Sequence, residues 1–154
     1  MHYNFGATIR FSAEHYPDKP AVVMDDRTLT YNQLNSRVNR VISALKRMGV
    51  RKGDKVAVLD GNSVEAVENY CAILKMGACL VPLTPLVQGQ DLALMVNDSE
   101  STALFFGEAY ATVVQSVRAD LKGIPSDRLI CTVRDPVQGF TAYERLLKEG
   151  SPEE

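Results

Sequence analysis

Asn62 and Ser63 stand past an apolar run, Lys55-Val56-Ala57-Val58-Leu59, with two residues between, and Thr84 stands after a second one, Cys79-Leu80-Val81. Open α/β sheets meet their ligands just past the carboxyl ends of parallel strands, so polar side chains at these places are the candidates for binding. Both candidates also have a plain structural use. Asn62 has the residue type of a helix N-cap, with Glu65 three residues on at the capping-box position. Thr84 lies in Pro82-Leu83-Thr84-Pro85, where a hydroxyl serves turn chemistry. Other reactive residue types offer less. His2 and His15 have only Glu14 at ligand spacing. Ser63 and Cys71 lack a neighbouring base that could make either a nucleophile. The chain contains neither GxxxxGK[ST] nor GxGxxG, and no Gly/Ser/Thr-rich loop that could cradle phosphates.

The elements that would hold these residues can be read from period and punctuation. Phe5, Ile9, Ala13 and Tyr16 recur at near-helical spacing, and Pro17 stops them. Ala21–Met24 and Arg27–Leu29 flank Asp25-Asp26 as a hairpin. Thr30 and Gln33 form a capping box, and Leu29 and Leu34 a hydrophobic staple. Leu34, Val38, Val41, Ile42, Leu45 and Met48 continue this helix as one apolar stripe. Lys46 and Arg47 suit its negative end, and Gly49 its left-handed terminus. A strand over Lys55–Leu59 leads to a helix capped by Asn62. Val64, Val67, Cys71 and Leu74 form its core face, and Gly77 ends it. The continuous apolar pattern of Cys79-Leu80-Val81 predicts a strand covered on both faces. Helices near Gln90–Asn97 and Ala109–Val117 then alternate with strands at Thr102–Phe106 and Leu129–Val133. A last helix is capped by Thr141, with Glu144 behind it. The fold expected is α/β: an N-terminal helix and β-hairpin, then a doubly wound, mainly parallel sheet with helices on both faces. It forms a single domain over residues 1–148, with a linker-like tail over 149–154.

Composition narrows the partners. A net charge of −2 with scattered Lys and Arg gives no electrostatic footprint for nucleic acid or an anionic membrane. No apolar stretch reaches the length of a membrane span, and residues 1–6 do not have the pattern of a signal peptide. Cys71, Cys79 and Cys131 lie among apolar neighbours without a CxxC pair. They read as buried small hydrophobes of a reducing cytoplasm.

Two segments carry more than fold. Leu29-Thr30-Tyr31-Asn32-Gln33-Leu34 matches the pattern Leu-Thr-Tyr-x-x-Leu. Leu74-Lys75-Met76-Gly77-Ala78-Cys79-Leu80-Val81-Pro82-Leu83-Thr84-Pro85 matches Leu-Lys-x-Gly-x-x-x-Val-Pro-Leu-x-Pro, some forty residues on. Gly53-Asp54 before the strand and Asn62-Ser63 after it continue the likeness, which runs from about Phe5 to Leu147. The chain resembles the N-terminal segment of the adenylate-forming (AMP-binding) ligases, nearest in look to acyl-CoA and aryl-CoA synthetases. The resemblance implies a parent that activates a carboxylate with Mg·ATP to an acyl-adenylate and passes the acyl group to coenzyme A or a carrier thiol. It also implies that the phosphate loop, metal ligand, ribose-binding aspartate and catalytic lysine lie outside these residues. No catalytic residue, metal ligand or cofactor can therefore be assigned to this chain. The cofactor-binding candidates are Asn62, Thr84 and Leu86 at strand ends. Leu86 stands where many CoA-using relatives carry a basic residue able to meet a coenzyme phosphate, which leucine cannot do. The partner implied is the remainder of a parent ligase, or a second copy of the chain. A stand-alone α/β interaction module is the other reading. An acidic receiver pocket from Asp25, Asp26 and Asp60 fails, because the spacing to Asp60 is too short for two βα units and no Met-Pro follows it.

Overall fold

The computed structural model describes residues 5–132 and 137–153. Helix α1 (Phe5–His15) buries Gly6 and Ile9, while Phe5 and Tyr16 stay exposed. Strands β1 (Pro20–Met24) and β2 (Arg27–Thr30) pair antiparallel around Asp25, whose φ of 50° lets the chain reverse. Helix α2 (Tyr31–Arg47) starts on the expected capping box. The Gln33 N–H donates to Thr30 Oγ1 at 3.3 Å, and the Thr30 N–H donates to Gln33 Oε1 at 2.9 Å. Its stripe of Leu34, Val38, Val41, Ile42 and Leu45 is buried, and Gly49 at φ 88° follows its end.

Strands β3 (Lys55–Leu59), β4 (Cys79–Pro82), β5 (Ser101–Phe106), β6 (Leu129–Cys131) and β7 (Thr141–Ala142) form one sheet in the order β4-β3-β5-β6-β7, every pair parallel. Helices α3 (Val64–Lys75), α4 (Gly89–Asp98), α5 (Ala111–Val117) and α6 (Tyr143–Glu149) connect or follow the strands. Successive strand residues point to opposite faces. Val56, Val58, Ala103, Phe105 and Ile130 pack into one core with α1, α2, α3 and α6. Ala57, Leu59, Leu104, Phe106 and Leu129 pack into the other with α4 and α5. The result is the doubly wound sheet expected, with helices on both faces.

Four local expectations change. Strand β4 lies at the sheet edge, so it is not covered throughout: Cys79 and Pro82 are exposed, with Leu80 and Val81 half-buried. Cys79 is therefore not a buried cysteine, whereas Cys71 and Cys131 are, and burial pushes both thiols up to about 11. The cap of α3 is Ser63, not Asn62. Ser63 is extended, and its Oγ accepts from the Ala66 N–H at 2.9 Å, which leaves Asn62 one residue too early to reach. Glu65 is thereby moved to the second helical position and pairs with Arg27 at 2.7 Å. Thr141 does not cap α6 either. It sits in β7, its hydroxyl donates to the Asp127 carbonyl at 2.9 Å, and Ala142 precedes the helix without a side-chain cap. Finally, α3 touches the sheet, α1 and α2 at once, so its buried arc includes Ala66, Glu68, Asn69, Ala72 and Ile73, while Val67 and Leu74 are half-buried. Strand β6 ends at Cys131, and the expected terminus Val133 lies outside the described residues, as does His2.

Candidate functional site

The strand order reverses between β3 and β5, because the chain leaves β3 to one side for β4 and returns past it for β5. The crevice of such a sheet opens at the carboxyl ends of those two strands. Asp60 stands there, directly after β3. Its Oδ1 accepts from the Gly61 N–H at 2.8 Å, and its Oδ2 accepts from Ser63 Oγ at 3.2 Å and Thr132 Oγ1 at 2.8 Å. Gly107, directly after β5, must be glycine for this packing: a Cβ there would lie 2.6 Å from Asp60 Oδ1. Burial raises the Asp60 pKa above the usual aspartate value, opposed by the bonds from Thr132, Gly61 and Ser63. Ser63 thus holds the start of α3 and the carboxylate together, and Thr132 brings in the end of β6.

The strand-end candidates differ in what engages them. Asn62 is exposed on the β3–α3 turn and, relieved of the cap, is free to face a ligand. Thr84 makes the turn its residue type suggests. Its Oγ1 accepts from the Leu86 N–H at 3.3 Å, and its carbonyl accepts from the Val87 N–H at 3.0 Å. Leu86 is 85% exposed, an apolar side chain held out into solvent. Asn62 lies past β3, and Thr84 and Leu86 lie past the neighbouring, parallel β4, so all three follow the carboxyl ends of adjacent strands. Asp25 and Asp26 are exposed and form the hairpin turn. His15 stacks on Phe11 at 3.9 Å between ring centroids, at the end of its helix.

A second polar constellation lies under the α2–α3–α6 layer. Glu68 is completely buried and accepts from Arg37 Nε at 2.5 Å, from Arg37 Nη2 at 3.1 Å and from the Tyr143 hydroxyl at 2.8 Å. Arg37 also meets Glu144 at 3.3 Å. Burial raises the Glu68 pKa, against the pull of Arg37 and Tyr143. The Tyr143 phenol is pushed well above its ordinary value, first by burial and then by the Glu68 charge. These groups hold three helices together, with every strong acceptor of Glu68 engaged. Sequence reasoning passed over them, although a glutamate between Val64, Val67 and Cys71 on an apolar helix face was a visible signal. Thr132 and Gly107 gave none, since only the sheet order brings them to Asp60.

A parallel sheet with one reversal, helices on both faces and a polar cluster at the switch point defines a doubly wound α/β domain. Within that class the family is specific. The model of the AMP-binding enzyme family matches residues 9–153, and the chain belongs to that family. It is 29% identical over 99% of its length to a 3-oxocholest-4-en-26-oate–CoA ligase of Rhodococcus rhodochrous, of which it spans 28%. A fatty acid–[acyl-carrier-protein] ligase of Streptomyces coeruleorubidus is 36% identical over 73% of this chain, which spans 22% of it. The same fold occurs in the crystal structure of an anthranilate CoA ligase in complex with anthranoyl-AMP. The TM-score there is 0.92 at 23% identity, over 99% of this chain and 29% of that one. The chain therefore spans less than a third of the length of each of these three proteins.

Proposed function

We propose that this chain is the N-terminal part of a cytoplasmic, ATP-dependent carboxylic acid–CoA ligase. In the intact enzyme a carboxylate oxygen attacks the α-phosphorus of ATP, the bond to pyrophosphate breaks, and the acyl group passes from the adenylate to the coenzyme A sulfur. The observation that carries this reading is the family match over residues 9–153, which takes in both sequence motifs. Fatty or aromatic acids are the substrate class suggested by the relatives' names.

The proposal includes inactivity of residues 1–154 alone. In-line transfer at phosphorus needs a metal, several fixed donors and a cation around one centre. The residues present do not fit Mg·ATP. Asp60, the carboxylate at the switch point, already accepts from Gly61, Ser63 and Thr132, about three of its four lone-pair positions. Among the described residues no three His, Cys, Asp or Glu side chains are grouped to hold a metal ion. No reaction step is therefore assigned to this chain's own residues. Its role is to scaffold, and its partner is the remainder of the ligase; without it, the chain associates with itself through its exposed apolar residues. No helix among the described residues is long and apolar enough to cross a membrane.

Acid-dependent pyrophosphate exchange with a panel of fatty and aromatic acids tests this. The purified chain is expected to give none, and activity is expected to return when the remainder of a parent ligase is added in trans. Exchange by the 154-residue chain alone, abolished by a substitution within it, would overturn the reading.

A further inference from the structure

The lysine of the second motif has a use that the scaffold reading does not absorb. Lys75 ends α3 and reaches across to α2, where its ammonium donates to Asn35 Oδ1 and Asn39 Oδ1, both at 2.8 Å. A cation on Oδ1 fixes which way the buried Asn39 amide points. Its Nδ2 must then face outward, and it donates to the Pro152 carbonyl at 2.8 Å. Directly after Asn39, Arg40 Nη1 donates to the carbonyls of Leu147 at 3.3 Å and Gly150 at 3.0 Å, closing the end of α6. Gly150 lies against α2 so closely that a Cβ would fall 2.3 Å from the Arg40 carbonyl oxygen. Residues 150–152, part of the segment with linker composition, are therefore held by Asn39 and Arg40 of α2, with Lys75 of the second motif fixing Asn39 from behind.

We infer that Lys75, Asn39 and Arg40 form a clamp that fixes the path of residues 150–152, and so sets the direction in which the following segment of the intact ligase leaves α6. The inference rests on the proposed ligase function. In that reading the chain beyond Glu154 carries the phosphate-binding groups, and their placement depends on where it starts. Lys75 is then a positioning residue. It acts on the reaction through Asn39 and Pro152 and touches no substrate.

A nitroxide at Glu153→Cys, in a Cys79→Ser background, reads the clamp directly by its rotational mobility. The label is expected to be restricted in the parent chain. It should be freed by Lys75→Met and by Asn39→Asp, which keeps the ammonium contact but turns an acceptor toward Pro152. Lys75→Arg, still able to reach both amide oxygens, should restore restriction. Lys46→Met, in the same cleft of about 540 Å³ but bonded to neither amide, should change nothing. A label equally restricted in folded Asn39→Asp and in the parent overturns the clamp, even if Lys75→Met fails to fold. In the full-length ligase, Lys75→Met should lower kcat for pyrophosphate exchange at least tenfold with the KM for the acid unchanged, and Lys75→Arg should recover it. A freed tail with unchanged kcat overturns the positioning role. A native full-length protein without any exchange overturns the ligase reading instead, and the spectra distinguish the two.

Discussion

The two faces of the sheet are closed by different physics. On the α4–α5 face the core is apolar: Leu92, Phe106, Val114 and Leu129 are almost completely buried. Beyond it, Leu94 and Leu86 project into solvent at 66% and 85% exposure. On the α2–α3–α6 face a comparable apolar core is crossed by charge. Glu68 is buried between Arg37 and Tyr143, and Lys75 sits between two asparagines. Apolar contact is non-directional, so the first face is set by volume and area. Hydrogen-bonded charges have fixed partners and angles, so the second face is set by geometry. The face that holds the chain's last residues is the one built for direction.

The largest expected effect that would break this contrast is at Glu68. Glu68→Ala leaves the Arg37 guanidinium without its main partner and should cost about 3–5 kcal/mol in denaturant midpoint and slope analysis. Leu92→Ala on the other face should cost about 2–5 kcal/mol by cavity formation, without altering how stability varies with pH. If Glu68→Ala cost under ~1 kcal/mol, the polar ties would be ornaments of a face closed by area alone.

The pH dependence sharpens the same contrast. Burial raises the folded-state pKa of Glu68 above the ordinary glutamate value of 4.5. The folded chain therefore holds more protons than the unfolded chain in the window above pH 4.5, and stability falls as pH rises through the folded value. Asp60 acts in the same direction from its ordinary 3.8. Glu68→Gln should flatten the Glu68 part of this slope, measured as midpoint against pH. A slope unchanged by the substitution removes Glu68 as its source.

Smaller effects probe one helix from each face. Thr30→Ala removes the cap of α2 and should cost about 0.5–2 kcal/mol, with Gln33→Ala costing less because the cap bond survives. A Thr30→Ala midpoint equal to the parent's would mean that packing alone starts the helix. On α4, Leu94→Glu should change stability by no more than about 0.5 kcal/mol. It should, however, reduce self-association seen by light scattering at micromolar concentration, since an exposed apolar side chain is replaced by a charge. Association unaffected by Leu94→Glu would place the contact elsewhere, for example at the β4 edge.

Much of this was legible from short windows of residues. The α2 capping box needs only Thr30 and Gln33. The hairpin needs only Asp25-Asp26 between Ala21–Met24 and Arg27–Leu29, and the stops at Gly49 and Gly77 need only a residue that tolerates positive φ. The alternation of apolar runs with helical stripes announced a parallel sheet, and the two motifs pointed to the family. Reading failed where one residue of register mattered. Asn62 and Ser63 are both good caps, and the choice fell to Ser63 because its hydroxyl bridges Ala66 and Asp60 at once. Thr141 looked like a cap because nothing local shows that β6 will take it as a strand partner.

Local chemistry is written in the chain because caps, turns and amphipathic stripes are made by residues within a few positions of one another. The edge position of β4, the meeting of Asp60 with Thr132 and Gly107, and the union of Glu68 with Arg37 and Tyr143 are not written there. Their partners lie as far as 75 residues apart, and Asn39 meets Pro152 across 113. Such pairs are selected by the order in which strands join the sheet and by which helices it then presses together. That order is a property of the whole domain, and no window of sequence contains it.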